Sequence, residues 1–311
     1  MKRGEKNSTI VRKKGKLIPV LLIVTAAVAL LSVIVVFISM WIKRNSGNSY
    51  KELWAARNYS AVYEKSTNDI EKNPLDNSVL IYRGYAAFYI AVSENNPELA
   101  LSYIDESIRC LRVALFEAKE KTVPQIKYML GKAYFHKNII CSYHFYADLV
   151  VKYLQEALDA GYQADDIPEL LGLSYGQLGM PYESIKSFSD ALLVHESPFL
   201  LFNIAKEYYA QGQISAAKQY LFQVTSNAGD DILLIKSQNL LAKIYIDEEK
   251  YDDAKALYEQ VLEKDDNCAE THYGLGVIYE KNGDLIKARS EWRKSLNIDS
   301  TYEDALKKVY R

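Results

Sequence analysis

From Tyr50 to the C-terminus, apolar and small residues recur at three- and four-residue steps, the period of helices that bury one face. The pattern is sharpest over residues 269–302. Leu275 and Gly276 stand one helical turn before Tyr279. Lys281-Asn282-Gly283-Asp284 then carries turn chemistry, and Ala288, Trp292 and Ser295-Leu296 follow at four- and three-residue steps. This spacing predicts two helices joined by a tight turn. Gly276 and Ala288 are expected where the backbones cross closely, with Tyr279 and Trp292 filling the wider gaps on either side.

The same order recurs upstream. Leu241-Ala242, Tyr245, Tyr251, Ala254, Tyr258 and Val261-Leu262 lie 34 residues earlier. Ile204-Ala205, Tyr208, Gly212, Ala217, Leu221 and Val224 lie a further 37 back, which places a three-residue insertion around Gly229–Asp231. Leu171-Gly172, Tyr175, Gly179, Phe188 and Ala191-Leu192 precede those by 33. This tandem array resembles the tetratricopeptide repeat, a helix-turn-helix unit of 34 residues with small and aromatic residues at fixed offsets. The resemblance implies an all-α, right-handed solenoid of about seven repeats, strong over 77–302 and weak over 43–76. Units fall near 77–114, 124–162, 165–197, 198–231, 235–268 and 269–302.

Three stretches depart from the register. The unit marked by Gly84, Ala100, Ile104 and Ser107-Ile108 has four extra residues, expected in its turn around Ser93 to Pro97. Asn96-Pro97-Glu98 there supplies a cap, a first-turn proline and an acidic first turn. In the unit of Leu130-Gly131 and Tyr134, the second helix ends seven residues late, at Ala157-Leu158. The apolar segment 139–158 therefore reads as a lengthened helix covering its neighbours. Residues 43–76 read as a degraded first repeat, carried by Tyr59, Val62, Asp69-Ile70 and Pro74. At the other end, Tyr302, Ala305-Leu306 and Val309 mark an amphipathic capping helix over 303–311.

Residues 17–42 form a run of 26 without a charge. As a helix at about 1.5 Å per residue it reaches about 39 Å, enough for a hydrocarbon core of about 30 Å. It is expected to be an uncleaved transmembrane helix, because a signal peptide's apolar core runs only about 7–15 residues. Ala27-Val28-Ala29 fits a cleavage pattern but lies inside the run. Seven Lys or Arg in the tail 1–16, against Lys43, Arg44, Lys51 and Arg57 beyond the run, orient the N-terminus toward the cytoplasm. The repeats are then expected outside it, on the periplasmic side of a bacterial inner membrane; repeats in the cytoplasm are the alternative.

Composition sharpens the class. With 49% apolar and 25% charged residues in 311, the chain has enough apolar material for a large core. The first 16 positions hold seven of the 38 basic residues and one of the 40 acidic ones. From Lys43 onward 31 basic residues therefore face 39 acidic ones, a balance of −8. An acidic body argues against nucleic acid as a partner. Cys110, Cys141 and Cys268 show no disulfide framework and read as small buried thiols, with a Cys110–Cys141 bridge open in an oxidising compartment.

No chemistry-bearing motif stands out. Gly172-Leu173-Ser174-Tyr175-Gly176 reads G-x-S-x-G but falls inside a predicted helix, where a nucleophile elbow needs a strand-to-helix turn. His136, Cys141 and His144 lack the paired spacing of a zinc site, and His195 and His272 have no acidic or cysteine neighbours in the pattern. No catalytic residue, metal, cofactor or small-molecule substrate is assigned, and the chain is not expected to be an enzyme.

What remains for function is the concave surface that the resemblance implies, lined by the first helix of each unit. Its positions hold Ile81, Tyr85, Phe88, Tyr89, Tyr128, Phe135, Phe199, Phe202, Tyr209 and Tyr273, an aromatic trough. Lys132, Lys206, Lys236, Asn239 and Lys243 are interleaved. Aromatic anchors with few rotamers suit an extended peptide or a helix; tighter packing between successive first helices is the competing reading. Some family members clamp a C-terminal carboxylate through Lys and Asn residues. Asn203 and Lys236 match two of those positions, but Glu169, Leu173 and Leu240 occupy three others, so that clamp is not supported. The resemblance implies an adaptor or scaffold for a protein or peptide partner, and the uncharged run 17–42 adds the expectation that it is tethered to the membrane. The alternative is a holdase-like envelope chaperone assisting secretion or outer-membrane assembly.

Overall fold

The computed structural model describes residues 30–38, 49–141, 145–227 and 229–310. Among them all regular structure is helical. The tail 1–16 and most of the expected transmembrane run 17–42 lie outside the described residues; 30–38 are helical. No described helix is long and apolar enough to cross a membrane.

The chain divides into two compact units, Met1–Pro74 and Leu75–Arg311. In the first, α1 (Tyr50–Ala55) and α2 (Tyr59–Lys72) are capped by Ser49 and Asn58, whose side chains accept from backbone N–H groups of the first turn. Tyr50 donates to Asp69 at 2.8 Å across the pair.

The second unit is a succession of helix pairs. These are α3 (Asn77–Ser93) with α4 (Pro97–Phe116), α5 (Val123–Ile140) with α6 (Ala147–Asp159), and α7 (Ile167–Gln177) with α8 (Pro181–Val194). Next come α9 (Pro198–Ala210) with α10 (Ile214–Asn227), α11 (Asp231–Asp247) with α12 (Tyr251–Lys264), and α13 (Ala269–Lys281) with α14 (Leu285–Ile298). The short α15 (Glu303–Val309) buries Ala305 against α14. Each second helix packs on its partner and on the next first helix. First helices of neighbouring pairs also touch, whereas second helices do not to a comparable extent. The row of first helices therefore forms the inner face of this unit.

Four of the six pairs close because a glycine on the first helix accepts a large side chain from the second; in α9 and α11 the buried Ala205 and Ala242 take that place. A Cβ on Gly84 would lie 2.6 Å from Leu111, and one on Gly172 would lie 2.7 Å from the Phe188 ring. At Gly276 the group that fills the space is the Trp292 indole itself, buried at 3% exposure, so Trp292 sits over the glycine rather than beside the crossing. Turns of three residues join the helices of most pairs. Gly179, Gly212 and Gly283 hold the left-handed position (φ 67, 71 and 81), and in α11–α12 that position is Glu249 (φ 58).

The departures from register resolve differently from the sequence expectation. The four extra residues near Ser93 extend α3 to 17 residues and leave a three-residue turn, 94–96. The insertion placed at Gly229–Asp231 likewise extends α11 to 17 residues, against 13 for α9 and α13. A helix absorbs added residues with hydrogen bonds satisfied, which a longer loop would not. Residues 139–158 are not one lengthened helix: α5 stops at Ile140 and α6 starts at Ala147. The Asn138 side-chain oxygen accepts from the Tyr146 N–H at 2.8 Å and fastens the return. Tyr134 then stacks on Tyr153 with centroids 5.6 Å apart.

Candidate functional site

The inner face has two halves of different character. In the N-terminal half the aromatic positions are packed. Phe88 is 2% exposed and Tyr85 is buried, so neither lines an open trough. Phe88 lies edge-on to Tyr89 and to His136, with centroids 5.3 and 5.2 Å apart, and Lys132 Nζ stands over its ring at 5.8 Å. Lys132 does not face solvent freely: it pairs with Asp166 at 2.7 Å, and Asp166 also accepts the Tyr128 hydroxyl at 2.8 Å. Tyr162 covers the Tyr128 ring at 4.8 Å. Burial lowers the His136 pKa, with Lys132 acting in the same direction. Phe135 is half-buried. The competing reading, packing between successive first helices, describes this half.

In the C-terminal half the same positions are more open. On α9, Phe199 is 41% exposed, Phe202 is half-buried and Lys206 is exposed, all on one helix face at i, i+3 and i+7. Lys236 and Lys243 are exposed on α11. Asn239, between them, is buried: it accepts from Thr271 Oγ1 at 2.7 Å and ties α11 to α13. The Tyr209 hydroxyl donates to Asp247 at 2.7 Å, tying α9 to α11, and Lys243 Nζ stands over the Tyr209 ring at 5.5 Å. Asn203, one of the two clamp matches, is buried with its amide on the Phe199 carbonyl at 2.8 Å.

This open strip ends in a cleft of about 180 Å³ between α11, α13 and the start of α15. Tyr273, expected on the inner face, is part of it, with its ring 5.4 Å from Tyr302. Asp247, Tyr258, Glu270 and Asp304 complete its polar lining and were not among the residues expected from sequence. Tyr258 was missed because its offset marks it as a filler between helices; it reaches the cleft only because Gly274 has no side chain to block it. Tyr302 and Asp304 lie at the cap, beyond the last repeat helix. Burial raises the Glu270 pKa, and Lys243 and Lys236 oppose that rise. Burial and then Glu270 raise those of Tyr258 and Tyr302, which stay protonated phenols.

The other sequence candidates for chemistry are placed as follows. Ser174 lies inside α7, 1% exposed, and its hydroxyl donates to the Leu170 carbonyl at 2.8 Å. The G-x-S-x-G stretch is therefore a helix interior. His272 does have acidic company in the fold: Nδ1 meets Glu291 Oε2 at 2.7 Å, and Nε2 meets the Asp266 carbonyl at 3.2 Å. His195 stands 3.6 Å from Glu169. Both acidic partners lie on neighbouring helices, which the linear pattern does not reveal. His144 lies outside the described residues, and among those described no three His, Cys, Asp or Glu side chains gather to hold a metal. The three thiols are free, and burial pushes Cys110 up to about 12.

Comparison with known proteins agrees with the helical repeat. The family model of the tetratricopeptide repeat protein 21 C-terminal ARM domain matches residues 181–306. The uncharacterized protein ycf37 of Porphyra purpurea is 30% identical over 118 residues, which cover 36% of this chain. The match spans 66% of that relative's length, just under two thirds. Among solved structures, the C-terminal part of a TPR repeat-containing protein from Cytophaga hutchinsonii is similar at TM-score 0.54 and 16% identity, covering 84% of this chain and 98% of that one. A chain of the APC/C hetero-tetramer Cut9–Hcn1 is similar at TM-score 0.51 and 14% identity, covering 84% of this chain and 47% of that one. Helix pairing, the close helix crossings and these likenesses together show a helical-repeat α-solenoid, similar in fold to solved tetratricopeptide-repeat structures.

Proposed function

We propose that the chain is a scaffold that holds a protein or peptide partner along the inner face of residues 198–304. The observation that carries this reading is on α9, where an exposed Phe199 and a half-buried Phe202 share one face with exposed Lys206. Aromatic side chains left accessible on a rigid helix are the anchors that a protein interface uses, because little rotamer entropy is lost when they are covered. Lys236 and Lys243 continue the polar margin on α11. No catalytic step is assigned to the chain. Replacing Phe199 and, separately, Phe202 by a photo-crosslinking amino acid in cells tests the reading. A discrete adduct supports a scaffold, a ladder of unrelated adducts supports the holdase alternative, and no adduct at Phe199 or Phe202 contradicts both.

The uncharged run 17–42 supports a membrane tether, with its basic flank on the cytoplasmic side and the repeats on the other. Protease added to cells whose outer barrier alone is permeabilised should then digest the repeats to a small protected fragment. Full protection that lysis relieves would place the repeats in the cytoplasm.

A further inference from the structure

The cleft at the end of the inner face has the chemistry of a cation site. Three carboxylates, Asp247, Glu270 and Asp304, border it together with one lysine, Lys243. Asp247 is engaged by the Tyr209 hydroxyl and Asp304 by Lys307 at 3.2 Å. Glu270 stands exposed at the rim, with no hydrogen bond and no close ion pair among the described residues.

A second feature points to a ligand independently. Tyr258 is 2% exposed, starts from α12 and crosses toward the inner face past Gly274, where a Cβ would overlap the phenol. Its hydroxyl ends at the cleft with no hydrogen-bond partner among the described residues. The ring is buried, and only the oxygen opens to the cleft, where it is left to a group that enters there. A donor entering the cleft would meet the Tyr258 oxygen, the Glu270 carboxylate and the ring of Tyr302.

The volume limits the occupant. About 180 Å³ is smaller than the roughly 300–1,000 Å³ of small-molecule sites and suits one long side chain. Carboxylates and phenol rings lining one small cleft suit a planar group with divergent N–H donors, which can stack as well as donate, better than a compact ammonium. We propose that the cleft seats an arginine side chain of the protein partner, its guanidinium held by Glu270 and the phenols of Tyr258 and Tyr302. This assignment rests on the partner-binding reading of the inner face and names what that partner inserts.

The test uses the full-length chain in mild detergent and fluorescently labelled Gly-Ser-Arg-Ser-Gly, with lysine and citrulline counterparts, read by anisotropy. Citrulline keeps the shape of arginine and removes its charge. The arginine peptide should bind tightest, about tenfold better than citrulline, the scale of one charge-assisted contact. Glu270→Gln should erase that preference while the melting temperature stays level or rises. Glu263→Gln, on an exposed stretch of α12, should change neither. Equal affinity for arginine and citrulline, including no binding of either, would overturn the proposal, as would a preference that survives Glu270→Gln. Those results would leave the scaffold reading to the crosslinks at Phe202. Conversely, an arginine preference without such crosslinks would keep the cleft and remove the wider interface.

Discussion

Two stretches of the same inner face, residues 77–166 and 198–304, carry similar aromatic patterns and use them differently. In the first, Phe88 is closed off by Tyr89 and His136, and Tyr128 and Lys132 converge on Asp166. In the second, Phe199 has no such cover and the strip runs into an open cleft. The difference lies in what the neighbouring repeat offers. Asp166, just ahead of α7, gives Lys132 and Tyr128 a common partner and draws the two first-helix positions together. Neither Lys206 nor Lys236 makes a comparable hydrogen bond or close ion pair among the described residues. An aromatic residue at an inner-face position is therefore a contact or a core residue according to its cross-repeat partner.

The strongest way to break this comparison is to truncate the same residue type in both halves. Phe88→Ala should cost about 3–5 kcal/mol of unfolding free energy, as for other fully buried phenylalanines, whereas Phe199→Ala should stay within about 0.5 kcal/mol. Urea titrations followed by helical circular dichroism would read both, and equal losses would show that the second half is packed like the first.

The pH dependence of two carboxylates sharpens the contrast. In the packed half, burial alone would raise the Glu106 pKa, but hydrogen bonds from Arg83 and Arg109 outweigh it and hold the group below the ordinary range. In the open half burial raises Glu270. A lowered folded pKa gives stability that is present above the unfolded value, roughly 4.3, and is lost as pH falls through the folded value. A raised one gives the opposite: its contribution is present below the unfolded value and is lost as pH rises through the folded one. Glu106→Gln should therefore destabilise at neutral pH and lose its effect in acid. Glu270→Gln should be neutral or stabilising at neutral pH, without benefit in acid. Urea midpoints of both variants across the acid range check the signs; the same sign for both would contradict the assigned environments.

The smallest effect concerns the turns. Glu249 holds a left-handed conformation that glycine holds at Gly179, Gly212 and Gly283. A left-handed residue with a side chain is disfavoured by about 1–2 kcal/mol, so Glu249→Gly should stabilise the chain by up to about 1 kcal/mol after the entropy of glycine is counted. A lower urea midpoint for this variant would mean that Glu249 makes contacts that outweigh the strain.

The paired-helix architecture was legible because it is written locally. A small residue on one helix and a large one on the next, as in Gly172 with Phe188, repeat at a nearly fixed period. The fate of the insertions was not legible, since extending α3 and α11 or looping them out gives the same count along the chain. The break at Cys141 was hidden by the apolar run around it. Of the inner-face residues, those with cross-repeat partners, such as Lys132 and Asn239, could not be sorted from open ones. Their partners, Asp166 and Thr271, lie 34 and 32 residues away. The cleft was missed because it depends on Tyr258 passing Gly274 and on Tyr302 beyond the last pair.

The partner is expected along the second half of the inner face and not the first. Paired photo-crosslinking in cells, with the probe at Phe202 in one strain and at Phe135 in another, tests this most directly. A discrete adduct from Phe202 with none from Phe135 is the result expected here. An adduct from Phe135 alone would contradict the account and move the binding surface to the half described as packed.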